Sequence, residues 1–220
     1  MELISLLHHQ KIVPIIRTTE PGITFPLVEA LYHGGMTLIE VTLTIPDALA
    51  TIRRIREELP SVVIGVGTVR DEQAAQEAVA MGAHFLVTYK PSDAVARIGQ
   101  RSHVPYILGG MTPAEIDQCL MLGSTVVKVF PANLVGPEFL AAIRGPFPGA
   151  QLLPTGGIRE PEVSRWLEAG AIAVGVGGDL LRLVPGPAPD YGDVTRRAAG
   201  LLKRAVQYTS VGPGGDTGGV

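Results

Sequence analysis

The stretch Thr125–Pro131, TVVKVFP, sets the terms for reading the whole chain. Val126, Val127 and Val129 are β-branched and Phe130 is aromatic, a composition that suits a pleated strand. A strand that is apolar at nearly every position, rather than at every second one, is buried on both faces, as in a parallel sheet covered by helices. Lys128 stands in the middle of this run. An ammonium taken out of water is costly unless it is paired, neutralised or used. Either the run is an edge strand that turns Lys128 to solvent, or Lys128 is an interior amine with chemistry to perform. Lysine occurs only at positions 11, 90, 128 and 203, so arginine carries most of the solvated positive charge and a lysine within a strand is less of an accident.

Seven similar runs flank this one: KIVPIIR (11–17), TLIEVTL (37–43), VVIGVGT (62–68), HFLVTY (84–89), PYILGG (105–110), AQLLPT (150–155) and AIAVGVG (171–177). Amphipathic segments lie between them, among them DALATIRRIREEL (47–59) and DEQAAQEAVAMG (71–82). YHGG, AMGA and EAGA place glycine where a helix needs a left-handed cap before the next strand. Asp71, Thr112 and Pro161 fit helix starts, with Thr112–Glu115 reading as a capping box. Eight strand–helix units with no break in composition predict one (β/α)8 barrel over 1–210; a doubly wound α/β sheet is the competing reading. Residues 1–10 are expected to form an extra helix closing the barrel bottom, and the Gly-rich tail 211–220 to be disordered.

Composition narrows the function classes. The 220 residues are 46% hydrophobic and 18% charged, which suits a packed globular core. A net charge of −3 leaves no basic stripe for nucleic acid. The single cysteine, Cys119, excludes an internal disulfide framework and fits a reducing compartment. MELISLLHHQK has the features of no signal peptide, and no apolar run approaches the ~20 residues of a membrane helix, so a cytoplasmic protein is expected.

Alternation along the strands predicts which residues share a face. Val13, Ile15 and Arg17 fall together in the first strand, Leu38, Glu40 and Thr42 in the second, Ile64, Val66 and Thr68 in the third, and Val126, Lys128 and Phe130 in the sixth. Each set carries a polar residue toward the C-terminal half of its strand, the end at which barrels of this kind place their active sites. If all four sets point inward, Arg17, Glu40, Thr68 and Lys128 converge on one cavity. Desolvation among Val and Phe disfavours the ammonium and would leave Lys128 a free amine able to attack a carbonyl, with Glu40 as general acid/base. A structural Lys128–Glu40 ion pair is the alternative. The glycine turns PTGGIR (154–159) and VGVGGDLL (174–181) follow the last two strands, where backbone N–H groups often hold phosphate or carboxylate; a tight strand-to-helix turn explains them equally well.

LIEVTLTIPDAL, IGVGTV, VVKVFPA, LLPTGGI and VGVGGDLL, in this order over residues 10–205, resemble the 2-keto-3-deoxy-6-phosphogluconate (KDPG) / 4-hydroxy-2-oxoglutarate (KHG) aldolase family. The resemblance implies a class I aldolase on a (β/α)8 barrel, a homotrimer, splitting a 2-keto-3-deoxy or 2-keto-4-hydroxy acid into pyruvate and an aldehyde with no cofactor. It implies that Lys128 forms the Schiff base, Glu40 moves protons, Thr68 binds the pyruvyl carboxylate and Phe130 walls the pocket. Thr155, Gly156, Gly157 and Gly178 would line the end that holds the distal group. Arg17 matches an arginine found in some branches. This chain departs from the pattern at Thr44, where many members have an arginine for the carboxylate. It departs again at Asp179, where a serine often contacts phosphate; Asp179 could point away as a helix N-cap. The third departure is Tyr89-Lys90-Pro91, with Lys90 read as a solvated loop residue or a ligand for an anionic distal group.

Other residues are read as structural. Histidines 8, 9, 33, 84 and 103 show no metal-ligand spacing, and GVGTV lacks the third glycine of a dinucleotide fingerprint. Cys119, Met111 and Met121 are expected in the core. The rivals to the aldolase are a non-covalent barrel isomerase or epimerase of a sugar acid, which uses Lys128 only as a charge, and an inactive oligomeric barrel.

Overall fold

The computed structural model describes residues 2–183, 190–205 and 207–208. Eight strands, β1 (Ile12–Ile16), β2 (Leu38–Thr42), β3 (Val63–Gly67), β4 (Phe85–Val87), β5 (Tyr106–Gly110), β6 (Val127–Val129), β7 (Leu152–Pro154) and β8 (Val174–Val176), fall within the eight runs of the sequence. The sheet runs β7-β6-β5-β4-β3-β2-β1-β8, all neighbours parallel, and a bridge between Thr155 and Gly175 joins its two ends. A doubly wound sheet reverses direction in its middle. This one proceeds in chain order around a circle and is a (β/α)8 barrel.

The helices are α1 (Leu3–Gln10), α2 (Thr24–His33), α3 (Ala48–Glu58), α4 (Glu72–Ala80), α5 (Asp93–Ser102), α6 (Pro113–Met121), α7 (Glu138–Arg144), α8 (Val163–Glu168), α9 (Gly178–Leu181) and α10 (Tyr191–Ala205). Their ends follow from local chemistry. Asp71 accepts a hydrogen bond from Ala74 N and caps α4, and Thr112 and Glu115 form the reciprocal capping box of α6. Just past α2, α4 and α8, Gly35, Gly82 and Gly170 take φ of +91°, +88° and +87°, the left-handed conformation that a side chain would resist. Pro161 opens a short 3-10 turn, Glu160–Glu162, ahead of α8.

Two apolar layers hold the barrel. Ile12, Ile16, Ile39, Val41, Val127 and Val129 face the helices, while Val13, Ile15, Leu38, Phe85, Val87, Val126 and Leu153 fill the interior. Helix α1 closes the bottom as expected: Leu7, fully buried, belongs to the interior cluster with Leu3, Ile4 and Leu6 packed beside it. Gln10, at the end of α1, satisfies four backbone groups, donating to Ile12 O and Leu38 O and accepting from Thr37 N and Leu38 N. Truncating Leu7 to alanine would cost ~2–5 kcal/mol in such a setting.

The expected parity holds in β1, β2 and β6 and is wrong in β3. Ile64 and Val66 face the helix layer, and the interior positions are Gly65 and Gly67. The reason is space. A Cβ on Gly65 would lie 2.1 Å from the Phe85 ring, and one on Gly67 would lie 2.0 Å from Glu40 Oε1. Phe85 and Glu40 occupy the volume that side chains of β3 would need. Met121 is also not in the core: at the end of α6 it is 82% exposed. Met111 is half-buried. Cys119 is buried as expected, donates from Sγ to Gly109 O, and burial pushes its thiol up to about 12. The tail 211–220 and the boundary at 210 lie outside the described residues.

Candidate active site

Lys128 projects from β6 into the barrel and meets Glu40 of β2, 88 positions away in sequence. Nζ lies 3.2 Å from Oε1 and 3.4 Å from Oε2. Lys128 is 5% exposed and Glu40 0%, so the two charges are taken out of water together. A buried pair of this kind contributes little net stability compared with aliphatic residues, because desolvation offsets most of the attraction. Nζ also lies 5.9 Å from the centre of the Phe130 ring. In register, Glu40 stands between Ile15 and Gly65, and Lys128 between Gly109 and Leu153, so two glycines flank the pair and leave it room.

A cavity of about 590 Å³ opens above the pair at the C-terminal ends of β1, β6, β7 and β8. That is within the ~300–1,000 Å³ of small-molecule sites. Of the residues singled out from sequence, Arg17, Lys128, Phe130, Thr155, Gly156, Gly157, Gly178 and Asp179 line it. Glu40 lies beside Lys128 rather than on the cavity wall. Thr68 reaches the site by a different route from the one expected. Its φ of +59° breaks the strand alternation, and its Oγ1 accepts a hydrogen bond from Arg17 Nη2 at 3.0 Å. A non-glycine residue held there costs ~1–3 kcal/mol, a cost found mostly at functional sites. Thr44 is turned to a supporting task. The Thr42 hydroxyl donates to Ile16 O at 3.1 Å and stands 2.8 Å from the Thr44 hydroxyl, tying the end of β2 to β1.

Asp179 is not the N-cap of the last turn. Gly177 holds that position, and Asp179 sits in the first turn of the four-residue α9, on the cavity wall. The arginine of α10, Arg197, donates to Asp179 O and Arg182 O and fixes this turn from outside. Lys90 is exposed and does not line the cavity; Tyr89 beside it is 39% exposed. The Thr88 hydroxyl donates to Lys90 O and accepts from Gly109 N, which fixes the backbone of this loop and leaves the Lys90 side chain to solvent.

Sequence reading missed several wall residues: Thr18, Glu20, Ile23 and Leu27 after β1, Ile158 and Arg159 after β7, and Gly177, Leu181 and Leu183 after β8. Arg159 was visible at the end of PTGGIR, and the rule that loops at one end of a barrel build the site could have flagged it. Glu20, in TTEPG, reads as an ordinary solvated loop residue. Among the described residues no three of His, Cys, Asp and Glu gather as metal ligands would.

The fold and the buried amine–carboxylate pair at the floor of a C-terminal cavity define a barrel enzyme built around a lysine. Comparison with known proteins narrows this. The family model "KDPG and KHG aldolase" matches residues 3–196. A 2-dehydro-3-deoxy-phosphogluconate aldolase of Pseudomonas aeruginosa is 33% identical over 208 residues, 93% of each chain. A KHG/KDPG aldolase of Escherichia coli K12 is 32% identical over 204 residues, 92% of this chain and 94% of its own. The structure of a Legionella pneumophila KDPG aldolase, with pyruvate captured at low pH as a covalent carbinolamine intermediate, superposes with a TM-score of 0.77 at 27% identity, covering 96% of this chain and 99% of the other. The chain belongs to the KDPG and KHG aldolase family, and is a class I aldolase, a carbon–carbon lyase.

Proposed function

We propose that this chain splits a 2-keto-3-deoxy or 2-keto-4-hydroxy acid reversibly into pyruvate and an aldehyde, with Lys128 as the imine-forming residue and Glu40 as the general acid/base. The observation that carries the assignment is the buried Lys128–Glu40 pair at 3.2 Å, in contact with the cavity through Lys128. Arg17, steadied by Thr68, supplies the cation for the substrate carboxylate, and the Phe130 ring and Thr155 wall the ketone.

The chemistry proceeds from these positions. Lys128 Nζ adds to C2 of the keto acid, giving a carbinolamine that loses water to the protonated imine. Glu40, directly or through a water, takes the proton of the C4 hydroxyl. The C3–C4 bond then breaks: the hydroxyl oxygen becomes the aldehyde carbonyl, and the bonding electrons pass into the C2–C3 bond and onto nitrogen, leaving an enamine. The proton returns to C3, and water hydrolyses the imine to release pyruvate and free Lys128. The lysine nitrogen is the electron sink, so burial that excludes competing bases serves the reaction as long as water can enter through the cavity.

Incubation with pyruvate and sodium borohydride, followed by peptide mass spectrometry, is expected to show a reduced adduct on Lys128. No adduct on any lysine overturns the reading, and favours a non-covalent isomerase or an inactive barrel. An adduct on Lys90 keeps the class and moves the site.

The reading extends to assembly and compartment. A homotrimer accords with the family resemblance and with the large apolar side chains left exposed at Met121 (82%), Leu134 (70%) and Tyr89 (39%). A cytoplasmic setting accords with the single buried thiol of Cys119, and no helix among the described residues is long and apolar enough to cross a membrane. Sedimentation velocity giving a mass three times that of the 23.2 kDa chain is the expected result.

A further inference from the structure

The turn 155–157, which follows β7, is a thin wall between two cavities. On one side lies the cavity of about 590 Å³ over Lys128, lined by Thr155, Gly156 and Gly157. On the other lies a second cavity of about 220 Å³, lined by Gly157 and Ile158 together with Asn133, Glu162, Arg165 and Trp166. Gly156 and Gly157 take φ of +95° and +68°, so the wall is backbone in a conformation that side chains resist. Glycine supplies this shape and does not hold it, because it brings no side chain to pack.

The support comes from the 3-10 turn Ala132–Leu134 that follows β6. Ala132 N donates to Thr155 O at 2.8 Å and Asn133 N to Gly156 O at 3.1 Å, while Thr155 N donates to Val129 O at 2.9 Å. In a planar trans peptide the N–H points opposite to the carbonyl it is joined to, so the first two bonds also turn the N–H groups of Gly156 and Gly157 away from the 3-10 turn. The Asn133 side chain lies directly over Gly157: a Cβ on that glycine would collide with Asn133 Cβ, Cγ and Nδ2. Phe130 packs Gly156 in the same way, its ring 2.9 Å from where a Cβ would stand. Phe130 lines the substrate cavity, whereas Asn133 lines the second cavity and braces the wall from there.

Lys128 is the register partner of Leu153, so the keto carbon joined to Nζ lies level with β7 and the aldehyde half of the substrate extends past the end of that strand, toward the turn. We propose that Asn133 is a positioning residue of the aldolase reaction: from behind, it holds the turn 155–157 against which the aldehyde half seats. The inference rests on the aldolase reading above, since without carbon–carbon cleavage there is no aldehyde to seat. Without the Asn133 side chain, Gly157 gains room to move back into the second cavity, and the seat loosens while Lys128, Glu40 and Arg17 keep their places. Asn133 is itself exposed, so truncating it opens no hole in the core.

The test runs the reaction toward condensation, with pyruvate and glyceraldehyde, glyceraldehyde 3-phosphate or glyoxylate. It compares Asn133→Ala with Asn133→Leu, which keeps the branched bulk and loses the amide. With the aldehyde that the wild-type chain uses best, Asn133→Ala is expected to raise KM for the aldehyde about tenfold, to leave KM for pyruvate within about twofold, and to keep the borohydride adduct on Lys128. Asn133→Leu is expected to stay within about threefold of wild type for both substrates. An aldehyde KM that Asn133→Ala does not move, equal rises in both KM values, or equal losses in the two variants overturns the proposal. A wild-type adduct on Lys128 with no condensation of any of these aldehydes also overturns it and leaves the lysine chemistry standing. With no adduct and no turnover, the aldolase reading fails and takes the proposal with it.

Discussion

Lys128 and Lys11 are buried almost equally, at 5% and 6% exposure, and sit in opposite circumstances. Lys128 lies inside the barrel, facing a cavity, with a carboxylate 3.2 Å away. Lys11 lies at the other end, just before β1, where it caps α1 with a φ of +63° and its N–H donates to Leu7 O. Burial holds the pKa of the Lys11 amine below the ordinary 10.5. Its neighbour His8 is held below its ordinary value too, first by burial and then by Lys11, and among the described residues the buried His8 Nδ1 has no hydrogen-bond partner. Burial is common to both lysines. What distinguishes Lys128 is a proton partner and an open volume on its other side, and a buried amine becomes a reactive one only with both.

The largest effect that would break this contrast concerns Lys128. Lys128→Met is expected to lower kcat/KM by on the order of 10⁴ or more and to abolish the pyruvate adduct. It also leaves Glu40 buried and unpaired, at a cost of ~3–5 kcal/mol in urea unfolding. Lys128→Met combined with Glu40→Gln removes the stranded charge and is expected to recover most of that stability and none of the activity. Stability that stays low in the double variant would show that Glu40 and Lys128 are not held as a pair.

Glu40→Gln alone comes next. It keeps the lysine and removes the proton carrier, so kcat is expected to fall by ~10²–10⁴ while borohydride still traps pyruvate on Lys128. An unchanged kcat would assign proton transfer elsewhere.

The smallest effect belongs to Lys11. Lys11→Met is expected to leave kcat/KM within about twofold, and to be neutral or stabilising by up to ~1 kcal/mol, because an apolar group of similar shape replaces a charge that burial disfavours. The pH dependence has a definite sign. The folded-state pKa lies below the unfolded one, so the unfolded chain binds this proton more tightly and protonation favours unfolding. That penalty is full below the lowered folded value and disappears as pH rises to 10.5. The advantage of Lys11→Met over wild type in unfolding free energy should shrink over this window. A loss of turnover comparable to that at Lys128 would end the distinction between the two lysines.

Much of this molecule was legible as sequence, and the errors have specific causes. The strands and the caps at Asp71 and Thr112 rest on interactions within a few residues, which composition and spacing report directly. Alternation alone points the large residues of β3 inward, which is the wrong face. In the barrel, the interior of β3 is glycine, and the volume belongs to Phe85 and Glu40 from neighbouring strands. IGVGT carried a signal of this, two glycines at alternate positions, but nothing in the sequence says which neighbour would claim the space. Met121 suits the core by residue type alone, but stands exposed at the end of α6.

By itself the sequence determined the strand–helix alternation, the anomaly of a lysine in an apolar strand, and the residues that mark the family. These depend on backbone propensity, capping and desolvation, all set by residue type and near neighbours. Only the tertiary structure decided that Lys128 meets Glu40 across the barrel, that Thr68 turns through a positive φ to hold Arg17, and that the segments following β1, β7 and β8 wall one cavity. Those are encounters between side chains far apart in the chain, fixed by strand register and barrel closure, and register is a property of the closed sheet rather than of any one strand.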